Sequence, residues 1–222
     1  MANTITEQFI IPPAAWDAFL SHLAVAENAA ATQFTHIAER LRAEGHHDVA
    51  GKYEVLAGEE RRHYEHVCRT YRDYVPPSTK IVELYRGGLA TAPIFLVERM
   101  AVAHCVHETA ALGLLGHLHG HIHWHMQDAK WAKHLRQMCA ALLRDEVHHV
   151  REGKVFVALY LARESQAVRT QVQASVRQHR VMVVRAIRRL FPGDGPRPFV
   201  EAMLNNFNRR YRDATEDILG GL

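Results

Sequence analysis

Glu59-Glu60-Arg61-Arg62-His63 and Asp145-Glu146-Val147-His148-His149 repeat one pattern: acid, Glu, any residue, Arg or His, His. Each copy holds a Glu and a His three residues apart, which on a helix places both on one face, within reach of one metal ion. The pattern predicts two helices, each offering a Glu-x-x-His pair.

The sequence around each copy supports that reading. From His46 to Tyr74, Val49, Tyr53, Leu56, Glu60, His63, Val67 and Tyr71 fall in helical register, and Pro76-Pro77 ends the run. From Asp128, Trp131, Leu135, Met138, Leu142, Glu146, His149, Gly153, Phe156 and Tyr160 repeat at the same spacing. A first helix enters at Pro12-Pro13, carries Leu20, Leu23, Ala24, Glu27, Ala31, Phe34 and Ile37 on one stripe, and stops at Gly45. A third opens at Pro93 and aligns Val97, Ala101, His104, Glu108, Ala111, Leu112 and Leu115. Between the second and third, Ser78 to Gly88 predicts a connector with a short helix. Beyond the fourth come a basic helix to about Phe191, a turn at Pro192-Gly193-Asp194-Gly195-Pro196, and a last helix through Leu219. Nothing favours strands. The expected fold is all-α: one domain over residues 1–222, with a four-helix core at about 14–164 and two accessory C-terminal helices at about 165–219.

Glu27, Glu60, Glu108 and Glu146 each lie on the apolar stripe of a different long helix. A carboxylate buried there without a partner pays a large desolvation cost, so four of them need a common explanation. In an antiparallel hairpin, two residues equally far from the turn face each other. Glu27 and Glu60 have their midpoint beside Gly45, and Glu108 and Glu146 have theirs beside Asp128. All four acids thus fall at one height, where with His63 and His149 they make a six-ligand set for two divalent metals. Glu98 is a rival to Glu108, but its midpoint with Glu146 falls inside the Gly- and His-rich stretch. Asp145 and His148 also stand three apart, yet Glu146 and His149 fit the stripe better.

The composition agrees with a helical, metal-binding protein. With 222 residues and 48% hydrophobic content the chain can bury a substantial core. Three widely spaced cysteines, Cys68, Cys105 and Cys139, read as reduced thiols of a cytoplasmic protein, and no Cys-x-x-Cys pair exists. No apolar run is long enough to span a bilayer, so no membrane partner is expected. The net charge is +3, with nine arginines between Arg177 and Arg212. They read as a solvated helical face; a nucleic-acid footprint is the sharper alternative, but no binding motif accompanies it. His117, His119, His121, His123 and His125 lie roughly 13 to 25 Å beyond Glu108 at helical rise. They cannot join the core site and are expected at a polar hairpin end. His104, one turn before Glu108, is expected as a core histidine that lines the pocket or hydrogen-bonds a ligand.

Residues 15–160, and above all the doubled acid-Glu-x-(Arg/His)-His segment, resemble the ferritin-like di-iron carboxylate proteins. By that resemblance Glu27, Glu60 and His63 would hold one iron and Glu108, Glu146 and His149 the other, with some carboxylates bridging; manganese and iron together are the alternative occupancy. Glu59 and Asp145 would support the far nitrogens of the ligand imidazoles. Arg62 fits the family arginine, whereas His148 stands where Arg is frequent. The layout is most similar to small aldehyde-deformylating oxygenases: Leu56-Ala57 before the first motif, Gly153 four residues after His149, and two trailing helices. Arylamine N-oxygenases carry another histidine where this chain has Leu142. The implied activity is a di-iron oxygenase acting with dioxygen on a small organic substrate. Phe34, Tyr53, Tyr64, Leu112, Leu115 and Phe156 would shape its pocket, a separate reductase or ferredoxin would supply electrons, and a homodimer is one compatible assembly, which the sequence does not fix. Iron storage or peroxide scavenging, and tRNA hydroxylation, are the competing classes.

Overall fold

The computed structural model describes residues 13–70, 95–126, 128–190 and 197–219, and all its regular structure is helical. The helices are α1 (Pro13–Ala43), α2 (His47–Thr70), α3 (Leu96–Val102) continuing through a π-helical stretch (Ala103–Glu108) into α4 (Thr109–His125), α5 (Ala129–Leu161), α6 (Gln166–Leu190) and α7 (Arg197–Leu219). The expected connector helix, the Pro93 start, the end of the second helix at Tyr74 and the turn at residues 192–196 lie outside the described residues.

Both expected hairpin turns form where the arithmetic requires them, each by a local mechanism. Gly45 has a φ of +84°, a left-handed conformation that a side chain would strain. With that geometry Gly45 N–H donates to Arg42 O (3.1 Å) and His46 N–H to Leu41 O (2.8 Å), which together close the last turn of α1. At the other hairpin the Asp128 side chain accepts from Lys130 N (2.9 Å) and Trp131 N (3.0 Å). A cap of this kind contributes about 1 kcal/mol and fixes where α5 begins.

The two hairpins, α1–α2 and α4–α5, face each other through α2 and α5; α6 covers α3, and α7 lies along α4. Their shared interior holds Phe34, Ile37, Tyr53, Leu56, Met100, Leu115, Leu142 and Phe207, all almost fully buried. Burial of each such side chain stabilises the fold by about 1.5–3 kcal/mol before chain entropy is counted.

The histidine stretch forms the end of the α4–α5 hairpin, as expected: α4 runs through it to His125 and α5 opens at Ala129, with Leu118 and Ile122 buried and His117 stacked on His121 at 4.5 Å. One expectation changes: regular α-helix through Glu108 is replaced, since Ala103–Glu108 adopts the wider π form. Thr109, fully buried, donates its hydroxyl to His104 O at 2.9 Å and so satisfies a carbonyl within that turn.

Among the described residues, no helix is long and apolar enough to cross a membrane.

Candidate metal centre

Facing hairpins bring all six sequence-derived residues into one buried volume. Glu27, Glu60, Glu108 and Glu146 are 3%, 1%, 3% and 0% exposed, and His63 and His149 are buried with them. Surface ion pairing is thereby excluded as the reason for these acids. Two overlapping groups form: Glu27, Glu60, His63 and Glu146, and Glu60, Glu108, Glu146 and His149, with the candidate ligand atoms of each group within 4.8 Å of one another. Glu60 and Glu146 belong to both groups. The rival Glu98 points elsewhere; it is buried but bonded to Ser175 Oγ, Gln171 Nε2 and its own helix start at Phe95 N.

The imidazoles are held from behind, and across the bundle. His63 Nε2–H donates to Asp145 Oδ2 at 3.0 Å, while His149 Nε2–H donates to Glu59 Oε2 at 3.0 Å. Each leading acid thus serves the histidine of the other motif. With the proton fixed on Nε2, the neutral ring turns its Nδ1 lone pair inward. His63 Nδ1 lies 3.4 Å from Glu27 Oε2 and 3.5 Å from both Glu60 Oε2 and Glu146 Oε1; His149 Nδ1 lies 3.0 Å from Glu108 Oε2.

This cluster is short of protons or cations. Both oxygens of Glu146, Glu60 Oε1 and His63 Nδ1 are buried without a hydrogen-bond partner. Glu60 Oε1 does lie 2.8 Å from His149 Nδ1, but direction decides a hydrogen bond, so the close approach leaves that lone pair open. Protonation is the cluster's own remedy. Burial, then the charges of Glu108 and Glu60, push the Glu146 carboxyl well above its ordinary range; burial raises Glu27 to about 8 against the nearby His63 imidazole. Burial and the Glu60 charge also raise Glu108. Burial opposes charge on Glu60, yet the close approach of His149 and His63 wins and holds it at about 2. His149 rises to about 12 because its bond to Glu108 and the nearby Glu60 carboxylate outweigh burial, and His63 is raised by the carboxylates around it.

Four carboxylates and two inward imidazole nitrogens, several of them orphaned, fit two divalent cations of the iron or manganese type, which favour oxygen-rich donor sets. Asp145→Asn keeps the shape at His63 but replaces the charge that fixes its tautomer. Metal affinity is expected to fall about 10- to 100-fold with the fold intact, as read by competitive metal titration.

The aromatic residues expected at the pocket divide. Phe34 stacks on His104 (5.2 Å) and meets His149 edge-on (6.2 Å), and Tyr53 packs against Phe34 and Phe156. These three form a wall beside the cluster. Tyr64 lies beside Cys68 instead, and Leu112 and Leu115 are core residues. His104 bonds no ligand: its Nε2 accepts from Tyr53 Oη–H at 2.9 Å, and burial keeps it neutral with a pKa lowered to about 3. Sequence spacing missed this pair because it joins α2 to the π-helical turn.

No protein-family model and no curated protein matches the chain. Among solved structures it is similar to a Synechococcus protein described as protein 19 with aldehyde deformylating oxidase activity. The TM-score is 0.73 over 92% of this chain and 89% of that one, at 17% identity. The chain has the ferritin-like fold. At that identity the likeness extends to the fold, so the chemistry has to be argued from the site.

Proposed function

We propose that the protein is a non-haem di-iron oxygenase that uses dioxygen to oxidise a small organic molecule inside the bundle. One observation carries the reading: four buried carboxylates and two imidazoles, anchored from behind, converge with unpartnered oxygen and nitrogen atoms between them. Glu27 and His63 would serve one iron and Glu108 and His149 the other, with Glu60 and Glu146 shared. Two ferrous ions bound there supply electrons for the cleavage of dioxygen. Asp145 and Glu59 hold the imidazole protons on Nε2 and keep both rings aimed inward. Phe34, Tyr53 and Phe156 exclude water from one flank, which strengthens every electrostatic interaction inside. Further electrons come from a separate reductase or ferredoxin, and the working unit is a monomer or homodimer in the cytoplasm. The structural neighbour's described activity makes an aldehyde the first substrate to test.

Anaerobic reconstitution with ferrous iron, followed by metal analysis and optical spectra on admitting oxygen, tests this reading. About two irons per chain and an oxygen-dependent visible band are expected. A substoichiometric metal content, or no spectral change, overturns it; assembly into 24-subunit shells would point to storage.

Metal loading also displaces protons, with a definite sign. At pH 7 the metal-free site keeps both His63 and His149 protonated, because their pKa values are raised, whereas ligation needs their lone pairs. Affinity therefore rises with pH. Loading is expected to release at least two protons per chain, so that overall affinity falls about a hundredfold or more per unit of acidification near neutrality. Proton release into weakly buffered solution checks the stoichiometry.

A further inference from the structure

The arginine run is not a uniform solvated face. Arg177 and Arg180 on α6 and Asn208, Tyr211 and Arg212 on α7 line a half-open cavity of about 570 Å³, with Arg177 and Arg212 exposed and Arg180 half-buried. That volume suits a small-molecule ligand. Arg180 is set in place: its Nε and Nη2 donate to Asn208 Oδ1 at 3.1 and 2.8 Å, and its guanidinium lies over the Tyr211 ring at 5.1 Å. Elsewhere in the run, Arg188 pairs with Glu201 and Arg209 with Asn206. The three cavity arginines have no carboxylate partner among the described residues.

A second observation is independent of the charge. Tyr211 is 4% exposed, and its hydroxyl is buried with no hydrogen-bond partner. A buried phenol normally finds one, since an unmade hydrogen bond is destabilising. Burial raises its pKa despite Arg180 and Arg177, so at neutral pH the hydroxyl is a donor. The hydroxyl has no surface open to the cavity, so the ring, with Arg180 over it, serves as wall; an oriented guanidinium and two more cations around one cavity call for an acceptor of multiple negative charge.

We propose that this α6–α7 cavity is a binding site for a phosphate-bearing small molecule, with Arg177, Arg180 and Arg212 pairing its oxygens against the wall made by the Tyr211 ring. Phosphate fits better than a carboxylate on charge, because one carboxylate offsets one of three cations while a diphosphate offsets all three. The site is separate from the proposed metal centre and does not depend on metal loading.

Calorimetric titration of the full-length, metal-free protein with inorganic pyrophosphate at 0.15 M salt tests it, beside a short RNA of random sequence. Saturable pyrophosphate binding is expected. Its dissociation constant should rise about tenfold or more in Arg177→Ala/Arg212→Ala. Arg188→Ala, outside the cavity, should bind as wild type, and circular dichroism should match for all variants. Absence of saturable binding, equal loss in Arg188→Ala, or variant-sensitive binding of RNA without pyrophosphate overturns the proposal. The last result would assign the arginines to nucleic acid.

Discussion

Gly153→Ala is expected to destabilise the protein by about 3 kcal/mol or more, the upper range for overpacking a core. An added Cβ at Gly153 would lie 2.0 Å from His104 Cγ, 2.1 Å from its Nδ1 and 2.5 Å from its Cβ. The ring cannot rotate away freely, because Tyr53 holds its Nε2 and Phe34 covers its face. Nor would rotation suffice, since the His104 Cβ is itself too close and moves only with its backbone. Relief therefore requires α5 to separate from the π-helical turn. Those two segments carry His149 and Glu108, one turn from the clash on either side, so metal affinity should fall together with stability. Thermal and urea unfolding measure the first effect, with a drop in Tm of about 6 to 12 °C for a chain of this size. His104→Ala should restore little, because it keeps the Cβ in place. A drop below about 2 °C, or full rescue by His104→Ala, would show that the helices are not in this close contact.

Glycine at position 153 was visible in the sequence only as a stripe position and as part of a resemblance; its physical reason, room for a buried imidazole, depends on the approach of two helices distant in sequence. The same division runs through the whole molecule. Helix stripes, the stops at Gly45 and Asp128, and the common height of the four acids follow from local spacing and from hairpin symmetry, both of which a sequence carries directly. Choosing Glu108 over Glu98 rested on that symmetry, and the structure gives Glu98 a separate task at the start of α3, bonded to α6. The support of His63 by Asp145 and of His149 by Glu59 was legible as to residue but not as to pairing. Which acid reaches which ring is set by α2 facing α5, and hairpin arithmetic says nothing about packing between hairpins. The π-helical turn had no sequence signal at all. Ala103–Glu108 contains no proline or glycine, and its wider form is fixed by the surrounding helices and by Thr109 reaching back to His104 O. Likewise the arginine run showed charge, while its division into paired and unpaired members required α6 and α7 to be placed side by side.

Glu146→Leu should change stability in opposite directions according to metal content. In metal-free protein both Glu146 oxygens are buried without a hydrogen-bond partner; His63 Nδ1 stands 3.5 Å off, and the charges of Glu108 and Glu60 outweigh it. Replacing the carboxyl with an apolar group of similar length removes that penalty, so the metal-free variant should gain about 1–3 kcal/mol. Glu146, like Glu60, belongs to both candidate ligand groups and would serve both ions. Loss of Glu146 should abolish binding of both ions, whereas Glu27→Leu, which touches one group, should leave one ion per chain. Wild type should therefore gain stability steeply on adding ferrous or manganous ion, and Glu146→Leu should gain none. Unfolding with and without metal, beside metal analysis, separates the two explanations for the buried acids. If they were a structural network of hydrogen-bonded charges, removing Glu146 would uncover its partners and destabilise the metal-free protein by about 3–5 kcal/mol, the cost of breaking a buried pair. A stabilised metal-free variant that no longer binds metal is the outcome that only a metal centre produces, because it requires a residue kept at a cost to the fold for the sake of a ligand.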